Sequence, residues 1–218
     1  MKISTSLLAC TLFMSLSSAH AVEGLTANIG ATNDYMWRGM TQNNHDIALS
    51  GGIDYAAESG FYAGTWVSNV DFGSADETNY EMDFYAGYGG EINNFSYDVG
   101  YILYAFPDAN DINMGELYAS INWQDLSLKI STLATSDVNN ADFGDDTYIE
   151  GAYSFDLGND LTLSLHAGSY SRENAENFVD YSVSISKGAF TFSVMDVSKD
   201  IIDEDVRVVL SYSHSIDL

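Results

Sequence analysis

The feature that most constrains the fold is an alternation of apolar and polar residues that recurs along most of the chain. Over residues 95–103, for example, Phe, Tyr, Val, Tyr and Leu take the odd positions, and Ser, Asp and Gly take 96, 98 and 100. Period two is typical of a β-strand with one apolar and one polar face. Most segments of this kind are about ten residues long, the length of a tilted strand that spans a membrane. Twelve segments follow the pattern, at 24–38, 46–57, 60–70, 79–90, 95–106, 113–124, 126–135, 147–157, 160–171, 178–187, 189–197 and 206–218.

The connections between these segments alternate in length. The short turns stand at 58–59, 92–94, 158–159, Asp125 and Gly188, and longer polar stretches separate them. This rhythm places both chain ends on the side of the short turns. An even strand number, with short turns at one end and long loops at the other, is typical of bacterial outer-membrane barrels. We therefore predict an all-β fold: a single antiparallel, up-and-down transmembrane β-barrel of about 12 strands.

The first residues have the three parts of a secretory signal peptide. Lys2 gives a positive start, residues 7–16 are apolar, and an Ala-His-Ala motif of the small-x-small form ends at position 21. We predict a cleavable signal peptide over 1–21, Sec-type export and one mature domain over 22–218. A lipoprotein signal ending at Cys10 is the alternative, but it would leave almost no apolar region before the cut.

The charge balance excludes two classes of partner. The chain has 32 Asp and Glu residues against 7 Lys and Arg residues, so its formal net charge is −25. Nucleic acids and anionic lipid headgroups are recognised by clustered Lys and Arg, so neither is expected as a partner. With 46% apolar residues, the chain is also too hydrophobic to be a disordered acidic segment.

The apolar face of the strands meets lipid in a membrane barrel and the core in a soluble one, and period two alone does not separate them. The signal peptide, the polar face rich in Gly, Ser and carboxylates, and the alternating final strand from Leu210 to Leu218 favour the membrane barrel. Large aromatic residues near strand ends would form its interfacial girdles: Trp37, Tyr55, Tyr80, Tyr88, Phe95, Trp123, Phe155 and Phe190. We expect a bacterial outer-membrane location, contact with its lipid and lipopolysaccharide, and insertion by the barrel-assembly machinery.

The segment from Asn33 to Val70 resembles a known family. It reads N-D-Y-M-W-R-G-M-T-Q, then A-L-S-G-G-I-D-Y, then E-S-G-F-Y-A-G-T-W-V-S-N-V. These stretches are similar to S-D-Y-x-x-R-G-x-S-Q, Q-G-G-x-D-Y and S-G-x-Y-x-G-x-W-x-S-N of the TorF-type porin family of proteobacteria, with Asn33, Thr41 and Ser50 as mild departures. The resemblance implies an outer-membrane barrel. The residues that carry it are Asp34, Tyr35, Arg38, Gly39, Gln42, Gly52, Asp54, Tyr55, Gly60, Tyr62, Gly64, Trp66 and Asn69.

Charged residues on the polar face are the candidates for lining the lumen. They are Arg38, Asp54, Glu81, Asp83, Asp98, Glu116, Lys129, Glu150, Asp180 and Arg207. Because acids outnumber bases seven to three in this set, we expect a polar lumen that favours cations. The alternative is that Arg38 and its acidic partners form a structural network that plugs the barrel, because twelve strands leave a limited bore.

Acidic loops are a second candidate site. Asp142, Asp145 and Asp146 lie in one loop and are weak candidates for binding Ca²⁺ or Mg²⁺. Their spacing does not match an EF-hand, so we interpret them as solvated loop surface. Bridging to lipopolysaccharide through divalent cations is the alternative.

No catalytic or cofactor motif is present in the sequence. It contains no H-E-x-x-H, CxxC, G-x-S-x-G or dinucleotide-binding pattern. Three histidines follow the signal peptide, and only His45 has an acidic neighbour, Asp46, that is adjacent in sequence. We therefore expect no enzymatic activity and no cofactor.

These observations predict a porin that passes small hydrophilic solutes or ions. Assembly of such barrels into a homo-oligomer is compatible with the sequence. Two alternatives stay open. One is a non-conducting structural or adhesive barrel in the same membrane, and the other is a soluble periplasmic β-protein.

Overall fold

The computed structural model describes residues 24–73, 78–109, 111–138, 141–198 and 206–218, so the predicted signal peptide over 1–21 lies outside the described residues. Twelve strands close into a barrel in which all neighbours pair antiparallel, which confirms the predicted fold. The barrel strands are β1 (Leu25–Thr32), β4 (Ala48–Ala56), β5 (Phe61–Asn69), β6 (Tyr80–Ile92), β7 (Phe95–Ala105), β8 (Met114–Trp123), β9 (Leu126–Ser136), β10 (Asp146–Asp156), β11 (Leu161–Arg172), β12 (Phe178–Lys187), β13 (Phe190–Val197) and β14 (Arg207–Asp217). Two further strands, β2 (Met36–Trp37) and β3 (Met40–Thr41), pair with each other apart from the wall.

The first strand closes the barrel because it pairs with both β4 and β14. Thr26, for example, lies opposite Asp54 on one side and Asp217 on the other. The short turns reverse the chain with left-handed residues, such as Asn93 at φ 58° and Gln124 at φ 54°. Positive φ is what tight hairpin turns require, so the short connections of the sequence match their geometry.

The alternation sorts side chains to the two faces of the wall. Phe84 and Val99 are each 47% exposed, whereas Glu116 and Ser184 are 2% and 3% exposed. In a closed barrel the exposed set faces outward and the buried set faces the interior. Apolar residues outside and polar residues inside are the arrangement of a membrane barrel. The described part of the chain contains no helix long and apolar enough to cross a membrane.

The first predicted segment, 24–38, is longer than the strand that forms. The strand β1 ends at Thr32, and the chain then turns away from the wall. The strands β2 and β3 form a small hairpin whose turn residues, Arg38 and Gly39, have φ 50° and 76°. A turn with two left-handed residues reverses the chain within two positions, and this ends the extended run that period two predicted.

This hairpin crosses the interior of the barrel. Trp37 makes edge-to-face contacts with Tyr104 on β7 and with Tyr170 on β11, at ring-centroid distances of 5.9 Å and 5.8 Å. Trp37 also packs against both apolar clusters of the interior, one around Tyr104 and Phe106 and the other around Tyr170 and Phe178. We call residues 33–47 the inward segment, because the hairpin within it lies in the lumen between walls that are far apart in the sheet.

Candidate functional site

The tip of the inward segment is held by an ion pair in the interior. Arg38 donates to both oxygens of Glu116 on β8, with Nη1–Oε1 at 2.8 Å and Nη2–Oε2 at 2.7 Å. Both side chains are buried, and a bidentate pair of this kind fixes orientation as well as charge. Burial alone would lower the pKa of Arg38, but the charge and hydrogen bonds of Glu116 outweigh it and raise that pKa. The guanidinium therefore stays charged.

Three aromatic rings surround the same guanidinium. Its Cζ lies 4.2 Å from the ring centroid of Trp37, 4.3 Å from that of Tyr148 and 4.6 Å from that of Tyr170. Cation–π contacts strengthen when the cation is shielded from water, as Arg38 is here. The hairpin tip is thus attached to β8 by charge and to β10 and β11 by ring contacts.

The base of the inward segment is organised by Asp34. Its carboxylate accepts a hydrogen bond from Thr41 Oγ1 at 2.7 Å and lies 2.8 Å from Nδ1 of His45. The backbone N–H of Tyr35 donates to Oδ1 of Asn43 at 3.0 Å, and this closes the segment on itself. Asp34, a residue of the family-like motif, therefore holds the two arms of the segment together.

Tyr35 connects the inward segment to a buried pair of acids on β6. Its hydroxyl donates to Oε1 of Glu81 at 3.2 Å, and its ring contacts Trp66 edge to face at 5.5 Å. Burial, followed by the charges of Glu81 and Asp83, raises the pKa of Tyr35, so it stays a neutral donor. Asp83 is 0% exposed and lies two residues from Glu81, on the same face of the strand.

A second network runs along β9 to β12. Lys129 Nζ lies 3.9 Å from Glu150 Oε1, and Glu150 Oε2 lies 3.1 Å from Nε2 of His166. The other nitrogen of His166 is 3.5 Å from Asp180, which accepts hydrogen bonds from the Tyr148 hydroxyl at 2.9 and 3.1 Å. Beside this network and the hairpin tip there is a cavity of about 10 Å³, which is too small for any solute larger than water.

A third group of polar side chains lies on β4 to β8, between the middle of the wall and the short turns. The Tyr62 hydroxyl donates to Asp98 Oδ1 at 2.7 Å and also contacts the Tyr118 hydroxyl. The Tyr85 hydroxyl donates to Asp54, which also accepts a bond of 3.0 Å from Asn28 Nδ2. Tyrosine hydroxyls and carboxylates therefore alternate along this part of the wall.

The structure brings most of the ten predicted lumen residues into pairs. Arg38 meets Glu116, Lys129 meets Glu150, and His166 joins Glu150 to Asp180. Glu81 and Asp83 are neighbours on β6, and Asp54 and Asp98 bind tyrosines. Arg207 is half-buried on β14, opposite Met195 of β13.

Several residues of these networks were not singled out from the sequence. Tyr104, Tyr148 and Tyr170 form the aromatic surroundings of the hairpin tip. The signal that could have identified them is their parity, because each stands on the polar face of its strand, where water-lined positions favour small residues. Aromatic residues on that face mark the place where the lumen is filled.

The later motif residues support the wall. Asn69 ties β5 to the start of β4, since its Oδ1 accepts from Leu49 N at 2.7 Å and its Nδ2 donates to Ile47 O at 3.1 Å. Gly60 has φ 96° in a short turn, and a Cβ there would come within 2.3 Å of Gly89 O. Gln42 donates to the Met40 carbonyl at 3.1 Å within the inward segment. Gly52 leaves space for the Asn28 amide, and Tyr55 faces outward.

The acidic loop candidates are not gathered around one point. Asp145 Oδ2 accepts from the backbone N–H of Asp142 at 2.8 Å, whereas Asp146 begins β10 and accepts from the Tyr170 hydroxyl at 3.4 Å. Over the described ranges, no three His, Cys, Asp or Glu side chains are arranged to hold a metal ion. The described histidines are also separate: His45 is in the inward segment, His166 on the inner face of β11 and His214 on the outer face of β14.

Comparisons with known proteins identify a family for the sequence and solved structures with a similar fold. A family profile described as "Bacterial protein of unknown function (Gcw_chp)" matches residues 17–216. No curated protein matches the sequence significantly. The TorF designation is not carried by the family match, so that resemblance stays a prediction.

Solved KdgM porins share the fold at low sequence identity. A KdgM porin determined in complex with disordered oligogalacturonate is 12% identical, with 89% of this chain and 99% of that chain covered and a TM-score of 0.57. A second KdgM porin structure gives the same values. OprD from Pseudomonas aeruginosa is 14% identical over 89% of this chain and 66% of that chain, at a TM-score of 0.43. At these identities the likeness to KdgM concerns the fold alone.

Proposed function

Since the chain belongs to the Gcw_chp family of bacterial proteins of unknown function, we propose its role from its own architecture: an outer-membrane porin for small hydrophilic solutes. The sorting of side chains carries the proposal. Apolar residues cover the outside, while ionisable and hydroxyl side chains gather inside. A barrel that only had to be stable would not need to bury so many charges, since buried charges are expensive unless they are paired or solvated.

The proposal includes the export route and the surroundings that such a barrel requires. Residues 1–21 act as the Sec-type signal peptide, and the mature chain begins at residue 22. The barrel-assembly machinery inserts it among outer-membrane lipid and lipopolysaccharide. N-terminal sequencing of protein from the outer-membrane fraction tests this directly, because a mature chain that starts elsewhere contradicts the assigned cleavage site.

The solutes are expected to be cations or neutral molecules. Seven of the ten charged lumen candidates are acidic, and Arg38, one of the three bases, is neutralised by Glu116 at 2.7 Å. Rings of carboxylates favour cations in pores. The oligogalacturonate in the KdgM structure is an acidic sugar, and we do not extend that ligand to this chain because its lumen would repel the charge.

Passage of a solute requires the inward segment to move. With Trp37 between Tyr104 and Tyr170, the lumen is closed near the end that carries the long loops. The porin therefore alternates between this closed conformation and one in which the hairpin tip leaves Glu116. No catalytic step is part of the proposal.

The second candidate is a non-conducting structural barrel. The observation that favours it is the buried bidentate Arg38–Glu116 pair, which holds the inward segment in place. Removing one partner of such a buried pair costs about 3 to 5 kcal/mol, because the other charge is left buried alone, so the pair is able to keep the barrel closed.

Recording from planar bilayers separates the two candidates. We expect small, fluctuating conductance steps for the wild type, and longer openings for Glu116→Gln, which weakens the hold on Arg38. The reversal potential in a salt gradient should have the sign for cations. Heat-modifiable gel mobility serves as the control that each variant is folded. A folded wild type and a folded Glu116→Gln variant that both stay silent would establish the structural barrel instead.

A further inference from the structure

We propose that the inner wall near the short turns binds small organic ammonium ions. The site is a tyrosine shelf, defined as Tyr62, Tyr85 and Tyr118 together with Asp54 and Asp98. The inference rests on the proposed function in one respect: it names the solute class of that porin. Its physical basis is that aromatic faces and carboxylates together complement an alkylammonium group, which carries both charge and apolar surface.

Each tyrosine of the shelf lies against a glycine directly across the sheet. Tyr62 is paired with Gly87, Tyr85 with Gly64 and Tyr118 with Gly100. A Cβ added at Gly87 would come within 2.2 Å of the Tyr62 hydroxyl oxygen, and one added at Gly64 or Gly100 would collide similarly with its tyrosine. The rings therefore lie along the wall instead of crossing the lumen. Held in this way, the Tyr62 and Tyr118 rings stay partly exposed to the interior, whereas Tyr85 is buried and supports Asp54 from behind.

The carboxylates stand at the hydroxyl ends of these rings. Asp98 accepts from Tyr62 at 2.7 Å, and Asp54 accepts from Tyr85 and from Asn28. Both aspartates are partly exposed, as are Tyr62 and Tyr118. The hydrogen bonds fix the direction of each carboxylate, so the negative charge is presented beside the rings without further ordering on binding.

The chain places an ammonium group of its own at the edge of the shelf. Lys129 Nζ lies 4.9 Å from the ring centroid of Tyr118 and 3.9 Å from Glu150 Oε1, and the lysine side chain is 31% exposed. This arrangement is a cation between an aromatic face and a carboxylate, which is the recognition that we propose for the solute. Lys129 thus marks the position that an incoming alkylammonium ion would share or contest.

The carboxylate end of the shelf lies away from the inward segment. Asp54 is two residues from the end of β4, Tyr62 is the second residue of β5, and Asp98 is the fourth residue of β7, so these three lie close to the short turns. Tyr85 and Tyr118 lie at the middle of β6 and β8. The inward segment enters from the opposite end, after β1. Binding at the shelf therefore does not depend on opening of the channel, and the two can be measured separately.

Isothermal titration of the folded protein in detergent, with n-butylammonium chloride as the probe, tests the inference. Sodium chloride and sodium butyrate are the matched controls for charge and for chain shape. We expect saturable binding of n-butylammonium alone. Asp98→Asn and Tyr118→Leu should each weaken it about tenfold, whereas Tyr118→Phe keeps the ring and stays within about threefold. Lys129→Gln should tighten it, because it removes the competing ammonium group.

The outcomes separate this inference from the proposed porin. Absence of saturable binding, equal binding of sodium, or unchanged affinity in both Asp98→Asn and Lys129→Gln would overturn the ammonium site, even if the barrel conducts. Saturable binding in a barrel that stays silent in bilayers would remove the porin and leave the site standing. Gel mobility before and after heating confirms that each variant is folded.

Discussion

The two ends of the lumen are built from the same alternating strands but are filled differently. The loop half, next to the long connections, holds the inward segment, with Trp37 between two tyrosines and Arg38 on Glu116. The turn half, next to the short connections, has walls of small hydroxyl residues and the tyrosine shelf. Ser184 and Ser193, for example, share a 2.8 Å hydrogen bond across β12 and β13.

The difference teaches that the wall alone does not close this barrel. In the turn half the three shelf tyrosines each lie over a glycine and stay against the wall. In the loop half the interior is closed by the inward segment, which follows β1 and packs against aromatic residues of the wall. Closure is therefore a property of one segment, which single substitutions can test.

The largest effect is expected where the inward segment meets the wall. Glu116→Leu leaves the guanidinium of Arg38 buried without its carboxylate, so we expect a loss of about 3 to 5 kcal/mol in the free energy of unfolding. Thermal denaturation followed by circular dichroism measures it. The double variant Arg38→Met/Glu116→Leu should recover most of the loss, since both charges are gone. A double variant no more stable than the single one would show that the charge pair is not what holds the segment.

The next largest loss of stability is expected in the turn half. Gly100→Ala places a Cβ within 2.5 Å of the Tyr118 hydroxyl oxygen and 2.9 Å of the Ala86 carbonyl oxygen. Displacing the ring should cost about 1 to 3 kcal/mol in denaturant unfolding. Gly89→Ala on the same wall is the matched control, because its Cβ would meet nothing closer than 3.5 Å. Equal losses for both variants would mean that the tyrosine is not packed on Gly100.

A smaller effect of opposite sign is expected at Asp83. This carboxyl group is fully buried beside Glu81 in the loop half, and both burial and the neighbouring acid disfavour its charged form, so Asp83→Asn places a neutral side chain where a charge is costly. We expect the free energy of unfolding to rise by about 1 kcal/mol, in the same denaturation assay. Asp125→Asn, in an exposed short turn, is the control and should leave the free energy of unfolding unchanged. A clear loss of stability in Asp83→Asn would show that its negative charge is needed.

The smallest effect concerns the outer loops that stand above the loop half. Hydrogen bonds from the Asn79 side chain and backbone lower the pKa of Asp108. A lowered pKa means that the tie between these loops is present above the ordinary carboxyl range and is lost as pH falls through the lowered value. Titration by NMR should show Asp108 protonating below exposed aspartates, and Asn79→Ala should return it toward them. An unchanged Asp108 titration in that variant would contradict this cause.

The wall was predictable from the sequence, whereas the closure of its lumen was not. Period two and the alternating connections depend on local composition, so strand number, pairing and most strand bounds follow from them. The strand predicted over 24–38 is too long. The sequence after Thr32 still reads as extended chain up to Arg38 and Gly39, although the chain has already left the wall. What turns them inward is Glu116, a partner 78 positions away. No local pattern encodes a contact of that kind.

The candidate site was predictable in membership but not in pairing. The parity of Glu116, Lys129 and Glu150 indicates which side of the wall they occupy, but not that each of them meets an opposite charge. Those pairs depend on the register between strands, which hydrogen bonding and turn geometry set. Tyr104 and Tyr148 were overlooked because aromatic residues are common in any strand.

The point where the chain leaves the wall has a consequence for the order of assembly. Asn33 is bound to the last strand: its Oδ1 accepts from Leu210 N at 2.6 Å, and its Nδ2 donates to Val208 O at 3.1 Å. Asn33, the first residue of the inward segment, is therefore held in place only when β14 pairs with β1. The β1–β14 pairing that closes the barrel and the placement of the inward segment in the lumen therefore form together. A nascent chain that lacks β14 would have neither.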